Sequence, residues 1–126
     1  MAEKPLYVID GETFSDFAGF IEECNRGFIR SFGGEWGGNL DAFNDYFYWG
    51  DGQYVLVWKH SEKSRTDLGY PAMAAWLEEN SRRCHPSNVQ GVLQRLDKAR
   101  EGRGPRLFDW LIEIIREQPH VELRLE

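Results

Sequence analysis

The sequence predicts an α/β fold: a small three-stranded parallel sheet packed with helices, with an extra helical insertion before the last helix. Three observations predict it. Residues 6–9, 54–58 and 121–125 are short runs rich in apolar and β-branched residues, bounded by turn-forming or polar positions. Long stretches of helical periodicity separate them, far too long for hairpins. Strands divided by helices favour parallel pairing, with the helices packed on the sheet. At 126 residues and 41% hydrophobic, the chain reads as one domain over 1–126, with the insertion at about 59–104.

The first strand, over 6–9, ends in the turn Asp10-Gly11. Thr13-Phe14-Ser15-Asp16 has capping-box spacing, with Asp in place of Glu, and predicts a helix through about residue 24. Phe14, Phe17, Phe20, Ile21 and Cys24 form its apolar stripe. Gly27 and then Gly33-Gly34 are expected to break the chain before a second helix. The run 53–58 is nearly all apolar, as in a central strand covered on both faces.

Residues 59–69 read as a polar loop, 71–78 as a short helix and 80–87 as another loop. Ser87 or Asn88 can cap a helix whose stripe is Val89, Val92, Leu93, Leu96 and Ala99. Gly102 and Gly104 end it, and Pro105 suits the first turn of the last helix. Leu107, Phe108, Leu111, Ile114 and Ile115 face the core there, leaving Asp109, Glu113, Arg116 and Glu117 outside. After Pro119, Val121, Leu123 and Leu125 alternate with Glu122, Arg124 and Glu126, the pattern of an edge strand.

The net charge of −6 is unevenly spread. Residues 82–106 hold seven Lys or Arg against Asp97 and Glu101, a net of +5, and the remainder carries −11. An acidic body attracts basic proteins and repels nucleic acid. The basic stretch lacks interleaved aromatics and reads as a solvated helix. No apolar run reaches membrane-spanning length, and the opening residues do not resemble a signal peptide. Cys24 and Cys84 are too few and too far apart for a disulfide framework or zinc knuckle, so a reduced, cytoplasmic protein is expected.

The most informative segment is Trp36-Gly37-Gly38-Asn39-Leu40-Asp41-Ala42-Phe43-Asn44-Asp45-Tyr46-Phe47. Asn39 is a good N-cap, and Leu40, Phe43 and Phe47 fall on one buried face. Asp41, Asn44, Asp45 and Tyr48 then share the outer face, with the carboxylates one turn apart. Like charges at that spacing cost a few tenths of a kcal/mol, roughly. A helix that keeps them suits a cationic partner. Glu35 and Asp51 add charge nearby, and Arg30 is the last basic residue before Lys59. Aromatics such as Trp36, Tyr46, Tyr48 and Trp49 rim the acids, a composition of protein interfaces.

These residues resemble the barstar family of intracellular inhibitors of barnase-type ribonucleases. The matching pieces are the strand into Asp10-Gly11-Glu12, the segment Gly37-Gly38-Asn39-Leu40-Asp41-Ala42 with Asp45 after it, the strand over 54–58, and residues 107–125. The resemblance implies a three-stranded parallel sheet and an acidic helix that plugs a nuclease active site, its carboxylates standing in for RNA phosphate. By motif position Asp45 matches the principal phosphate mimic and Asp41 the accompanying carboxylate. Gly37 and Asn39 match the loop and cap that set the helix angle, and Glu113 matches an acidic residue of the last helix. Trp36, Asn44 and Tyr48 complete the expected partner-binding set. Asn44 stands where the family has an aromatic residue, Glu35 lies near a family tyrosine, and 59–104 exceeds the corresponding family connection. The implied partner is a basic ribonuclease or nuclease toxin in a 1:1 complex, with no nucleic acid or membrane bound and a monomer when free.

An enzyme is the rival class. Yet two carboxylates on one exposed helix face lack the contrasting environments that separate an acid from a base. His60, His85 and His120 fall in different segments without metal-ligand spacing, and adjacent Cys84 and His85 diverge. No phosphate loop or dinucleotide glycine pattern occurs, so no catalysis, metal or cofactor is expected. A general interaction module for a basic partner other than a nuclease is the alternative.

Overall fold

The computed structural model describes residues 4–49 and 52–126; Asp51, counted among the acids, lies outside them. β1 (Leu6–Asp10), β2 (Tyr54–Lys59) and β3 (Val121–Leu125) form a three-stranded sheet in the order β1-β2-β3. Both pairings are parallel, with Val55 between Leu6 and Glu122, and Val57 between Val8 and Arg124. The helices are α1 (Phe17–Cys24), α2 (Leu40–Tyr46), α3 (Ser61–Asp67), α4 (Tyr70–Ser81), α5 (Val89–Arg100) and α6 (Leu107–Arg116). The sheet arrives as the spacing of apolar runs predicts.

One face of the sheet carries the core. Ile9, Tyr54, Leu56 and Trp58 meet Phe20, Phe28, Phe43, Phe47, Leu111 and Ile115 in a single buried cluster. Val55 and Val57 point the other way and lie outside that cluster, although both are buried. Their row neighbours are Leu6 and Val8 on one side and Glu122 and Arg124 on the other. Side chains on both faces of the central strand are thus buried, as its all-apolar run predicts, with the main core on one of them.

Several boundaries differ from expectation. Asp16, and not Thr13, caps α1: its carboxylate accepts the Gly19 N–H at 2.8 Å. Gly27 does not break the chain; a π-helical turn over Asn25–Ile29 carries the helix through it. A Cβ at Gly27 would lie 2.5 Å from the Val8 carbonyl oxygen, so glycine there permits close approach to β1. Gly33, at φ +89°, supplies the actual stop. The expected loop at 59–69 holds α3, a helix without an apolar stripe. Ser64 is buried and accepts the Trp58 indole N–H at 3.0 Å, and the Ser61 hydroxyl donates to the Glu126 carbonyl at 2.9 Å.

α4 runs beyond its predicted end and packs along α5. Neither Ser87 nor Asn88 caps α5 with its side chain; a 3-10 turn over Pro86–Asn88 leads in, and His85 Nδ1 accepts the Ser87 N–H at 3.1 Å. Leu93, placed on the α5 stripe, is exposed. Pro105 precedes the cap of α6 and does not enter its first turn; Arg106 is the cap, and its N–H donates to the Asp109 carboxylate at 3.0 Å. Among the described residues no helix is long and apolar enough to cross a membrane.

Candidate protein-binding face

A loop and a helix present the acidic face, and buried groups hold both. The loop runs from Gly33 to the cap of α2. Asn25, 2% exposed in the π-helical turn, satisfies both backbone groups of Trp36. Its Oδ1 accepts the Trp36 N–H at 2.7 Å, and its Nδ2 donates to the Trp36 carbonyl at 2.9 Å. The Trp36 indole N–H donates to the Asn39 carbonyl at 2.7 Å, and its ring stacks on Phe43 at 4.3 Å. Loop, cap and helix are thus joined through one aromatic side chain.

Further ties fix the loop from outside. The Tyr46 hydroxyl donates to the Glu35 carbonyl at 2.6 Å. The Arg30 guanidinium forks to Glu35 at 2.8 and 2.9 Å and to Glu22 at 2.9 and 3.1 Å. Hydrogen bonding to Arg30 holds the Glu35 carboxyl below its usual range, and the bonds to Glu35 and Glu22 raise the Arg30 pKa in turn. Glu35 is consequently paired within the chain, unlike the helix carboxylates. Gly38 takes φ +105°, a left-handed backbone that favours glycine, and a Cβ there would strike Ile21 at 2.8 Å.

Asn39 caps α2 as expected, accepting the Ala42 N–H at 3.1 Å. Leu40, Phe43 and Phe47 are buried, while Asp41 and Asp45 are exposed one turn apart. Among the described residues neither carboxylate takes part in an ion pair. Tyr48 follows on the same side, 62% exposed, its ring 5.4 Å from that of His120. The His120 Nε2–H donates to the Phe47 carbonyl at 2.6 Å and fixes the end of the helix to the start of β3.

The other four predicted contacts lie in four different settings. Trp36 is 2% exposed and supports the face from within, so it offers a partner no surface. Asn44 is half-buried, and its Oδ1 accepts from Gln118 Nε2 at 2.6 Å, a bond that docks α2 on the segment after α6. Gly37 is exposed with open space around its Cα, available for close approach. Glu113 is exposed on α6, where it lines a shallow depression of about 500 Å³ with Arg65, Arg116 and Leu125. α6 and the residues after it therefore reach α2 through Gln118, and no bond links Glu113 to the two aspartates. Asn25 and Gln118 escaped sequence reading because a polar residue inside or beside an apolar stripe carries no sign of its partner.

Asp41 also borders a groove of about 1350 Å³ between the α1–α2 side and the α4–α5 pair. Trp76 and Trp110 line it, edge to face at 5.0 Å, with Arg83 and Arg95 nearby. Among the described residues no cluster of three or more His, Cys, Asp or Glu could hold a metal ion. Cys24 and Cys84 are free thiols, and burial pushes the Cys24 pKa up. What the face offers chemically is a pair of fixed, hydrated carboxylates able to accept bonds from guanidinium and ammonium donors.

A family model described as Barstar (barnase inhibitor) matches residues 5–99, from β1 into α5. The match includes the acidic helix and stops before α6, the helix that bears Glu113. No curated protein and no solved structure matches the chain.

Proposed function

Because the chain belongs to the barstar family, whose members inhibit barnase-type ribonucleases, we propose that it blocks a cationic ribonuclease or nuclease toxin stoichiometrically through the exposed face of α2. It acts as a ligand and not as a catalyst. Asp45 and Asp41 take the positions of substrate phosphates among the enzyme's basic side chains, Gly37 admits close approach, and Tyr48 and Asn44 border the contact. Glu113 adds a peripheral charge from α6. The α4–α5 pair belongs to the same domain, as an insertion over about 59–104.

One observation carries this reading. Two carboxylates stand one turn apart on a surface whose backbone is pinned by Asn25, Trp36 and Tyr46, yet among the described residues neither has a cation paired with it. Like charges held unpaired on a rigid element cost stability in the free protein and gain it when a cationic partner arrives. Prior fixing of the backbone also reduces the entropy lost on binding.

The test is inhibition of a basic, barnase-type ribonuclease by the wild type, Asp41→Asn and Asp45→Asn, together with capture of partners on the same three baits. Truncated hot spots cost about 2 kcal/mol or more, so Asp45→Asn is expected to weaken inhibition at least roughly thirtyfold. Asp41→Asn is expected to weaken it less, and both variants should melt like the wild type. Equal inhibition by all three overturns the assigned face. Capture of a basic non-nuclease protein that both variants lose retains the face and discards the nuclease.

A further inference from the structure

The two edges of the sheet are treated differently. Along β1 the outward groups are those of Leu6, Val8 and Asp10, because Val55 donates to the Pro5 carbonyl and so the odd positions face β2. That edge is occupied. The Asp10 N–H donates to the Glu23 carboxylate at 2.7 Å, and the π-helical turn lies against Val8 at Gly27. Glu23 is itself buried and paired with Arg26.

β3 has no such cover. Tyr54 donates to the His120 carbonyl, and Glu126 donates to the Trp58 carbonyl, so the even positions of β3 face β2. The N–H and C=O groups of Val121, Leu123 and Leu125 therefore point away from the sheet, and among the described residues no further strand follows β3. Among the described residues only the Val121 N–H is used, by the Gln118 carbonyl at 3.2 Å. Leu125 remains 39% exposed. An uncovered edge of this kind is a template for another strand.

The sequence Val121-Glu122-Leu123-Arg124-Leu125 names the strand that fits. Laid antiparallel to itself about Leu123, it pairs Val121 with Leu125, Leu123 with Leu123, and Glu122 with Arg124. The three outward-facing positions then fall on the hydrogen-bonded pairs, as an antiparallel ladder requires. Glu122 and Arg124 fall on the closer, non-hydrogen-bonded pairs, where opposite charges attract. Sliding the register by two in either direction sets Glu122 against Glu122 or Arg124 against Arg124, and like charges oppose pairing there. Both charged side chains rise from the sheet face opposite the core, in the rows of Val55 and Val57.

We propose that β3 is a self-association edge at which two copies of this chain join their sheets into one of six strands, in the register set by Leu123. The in-strand contacts between Arg124 and Glu122, one in each copy, are exchanged for two contacts between copies. The occupant is a second copy because the strand's charges complement its own reverse. Five-residue strands bury little area, so the dimer is weak and concentration-dependent. This departs from the monomer expected for the free chain and does not depend on the ribonuclease reading.

Sedimentation equilibrium on the full chain, without a nuclease, tests it up to roughly 1 mM protein. A reversible monomer–dimer equilibrium is expected. Glu122→Arg should raise the dissociation constant at least about tenfold, and Glu122→Arg with Arg124→Glu should return it to within about threefold. Leu123→Pro removes an outward N–H together with a half-buried side chain that packs on the core, and should abolish the dimer. Leu123→Ala loses the side chain alone and should keep the dimer, with circular dichroism checking both folds. A monomer throughout overturns the proposal, as does a dimer that Glu122→Arg and a folded Leu123→Pro leave unchanged.

Discussion

A buried amide that satisfies both backbone groups of one residue removes that segment from competition with water. Asn25 does this for Trp36, and Trp36 in turn bonds Asn39 and stacks on Phe43. Asn25→Ala strands a buried donor and a buried acceptor, each worth about 1–3 kcal/mol. The expected loss is about 3 kcal/mol, a fall in thermal midpoint of roughly 10 °C. Asn25→Asp keeps an acceptor for the Trp36 N–H but has no donor for its carbonyl, so it should rescue the loss only in part. Unchanged melting of the alanine variant would show that the loop holds without this bond pair. Asp41 and Asp45 behave oppositely at this scale, since their side chains can change without disturbing any internal partner among the described residues.

At the scale of the element, the loop from Gly33 to Asn39 draws part of its hold from Arg30. The Glu35 carboxyl has a folded pKa below its ordinary value of 4.5 because of that guanidinium. A depressed carboxyl contributes stability that is complete above the unfolded value and fades as pH falls through the folded one. Acid titration of the unfolding midpoint below about pH 5 should therefore be shallower for Glu35→Gln than for the wild type. Coincident curves would mean that the fork leaves stability untouched.

Element by element, periodicity made β1, β2, β3, α2 and α6 legible, since each has an apolar pattern aimed at one core. α3 was not, because Ser61 and Ser64 anchor it through hydroxyls and its remaining residues are polar. The passage through Gly27 was hidden for a related reason. A glycine that ends a helix and one that lets a helix touch a strand look the same in a sequence. Of the candidate face, the cap at Asn39 and the exposure of both aspartates were legible; the internal place of Trp36 and the Asn44–Gln118 bond depend on contacts across the chain.

Across the whole molecule the charge map is simpler than the sequence suggests. Of the cations in 82–106, Arg82 and Arg83 pair with Glu78 or Glu79 of α4, Arg100 with Glu78, Arg103 with Glu101 and Arg106 with Asp109. Local neutralisation leaves the acidic side to dominate the field that an approaching partner meets. Association with a cationic nuclease should slow at least about tenfold as ionic strength rises from about 0.01 M to about 1 M, while dissociation changes far less. Stopped-flow mixing measures both rates, and a salt-independent association rate would remove steering from the account.

The parallel register also governs how the chain acquires its shape. Leu6 finds Val55, and Tyr54 finds Val121, only after long loops have closed, and no hairpin offers an early foothold. Loop-closure entropy must be met before either pairing returns energy, which places the sheet among slow-folding topologies. α2 rests its apolar face on Phe20, Phe28 and Trp36, but the bonds from Gln118 to Asn44 and from His120 to Phe47 that dock it await the far end of the chain. The acidic surface is therefore a late product of folding.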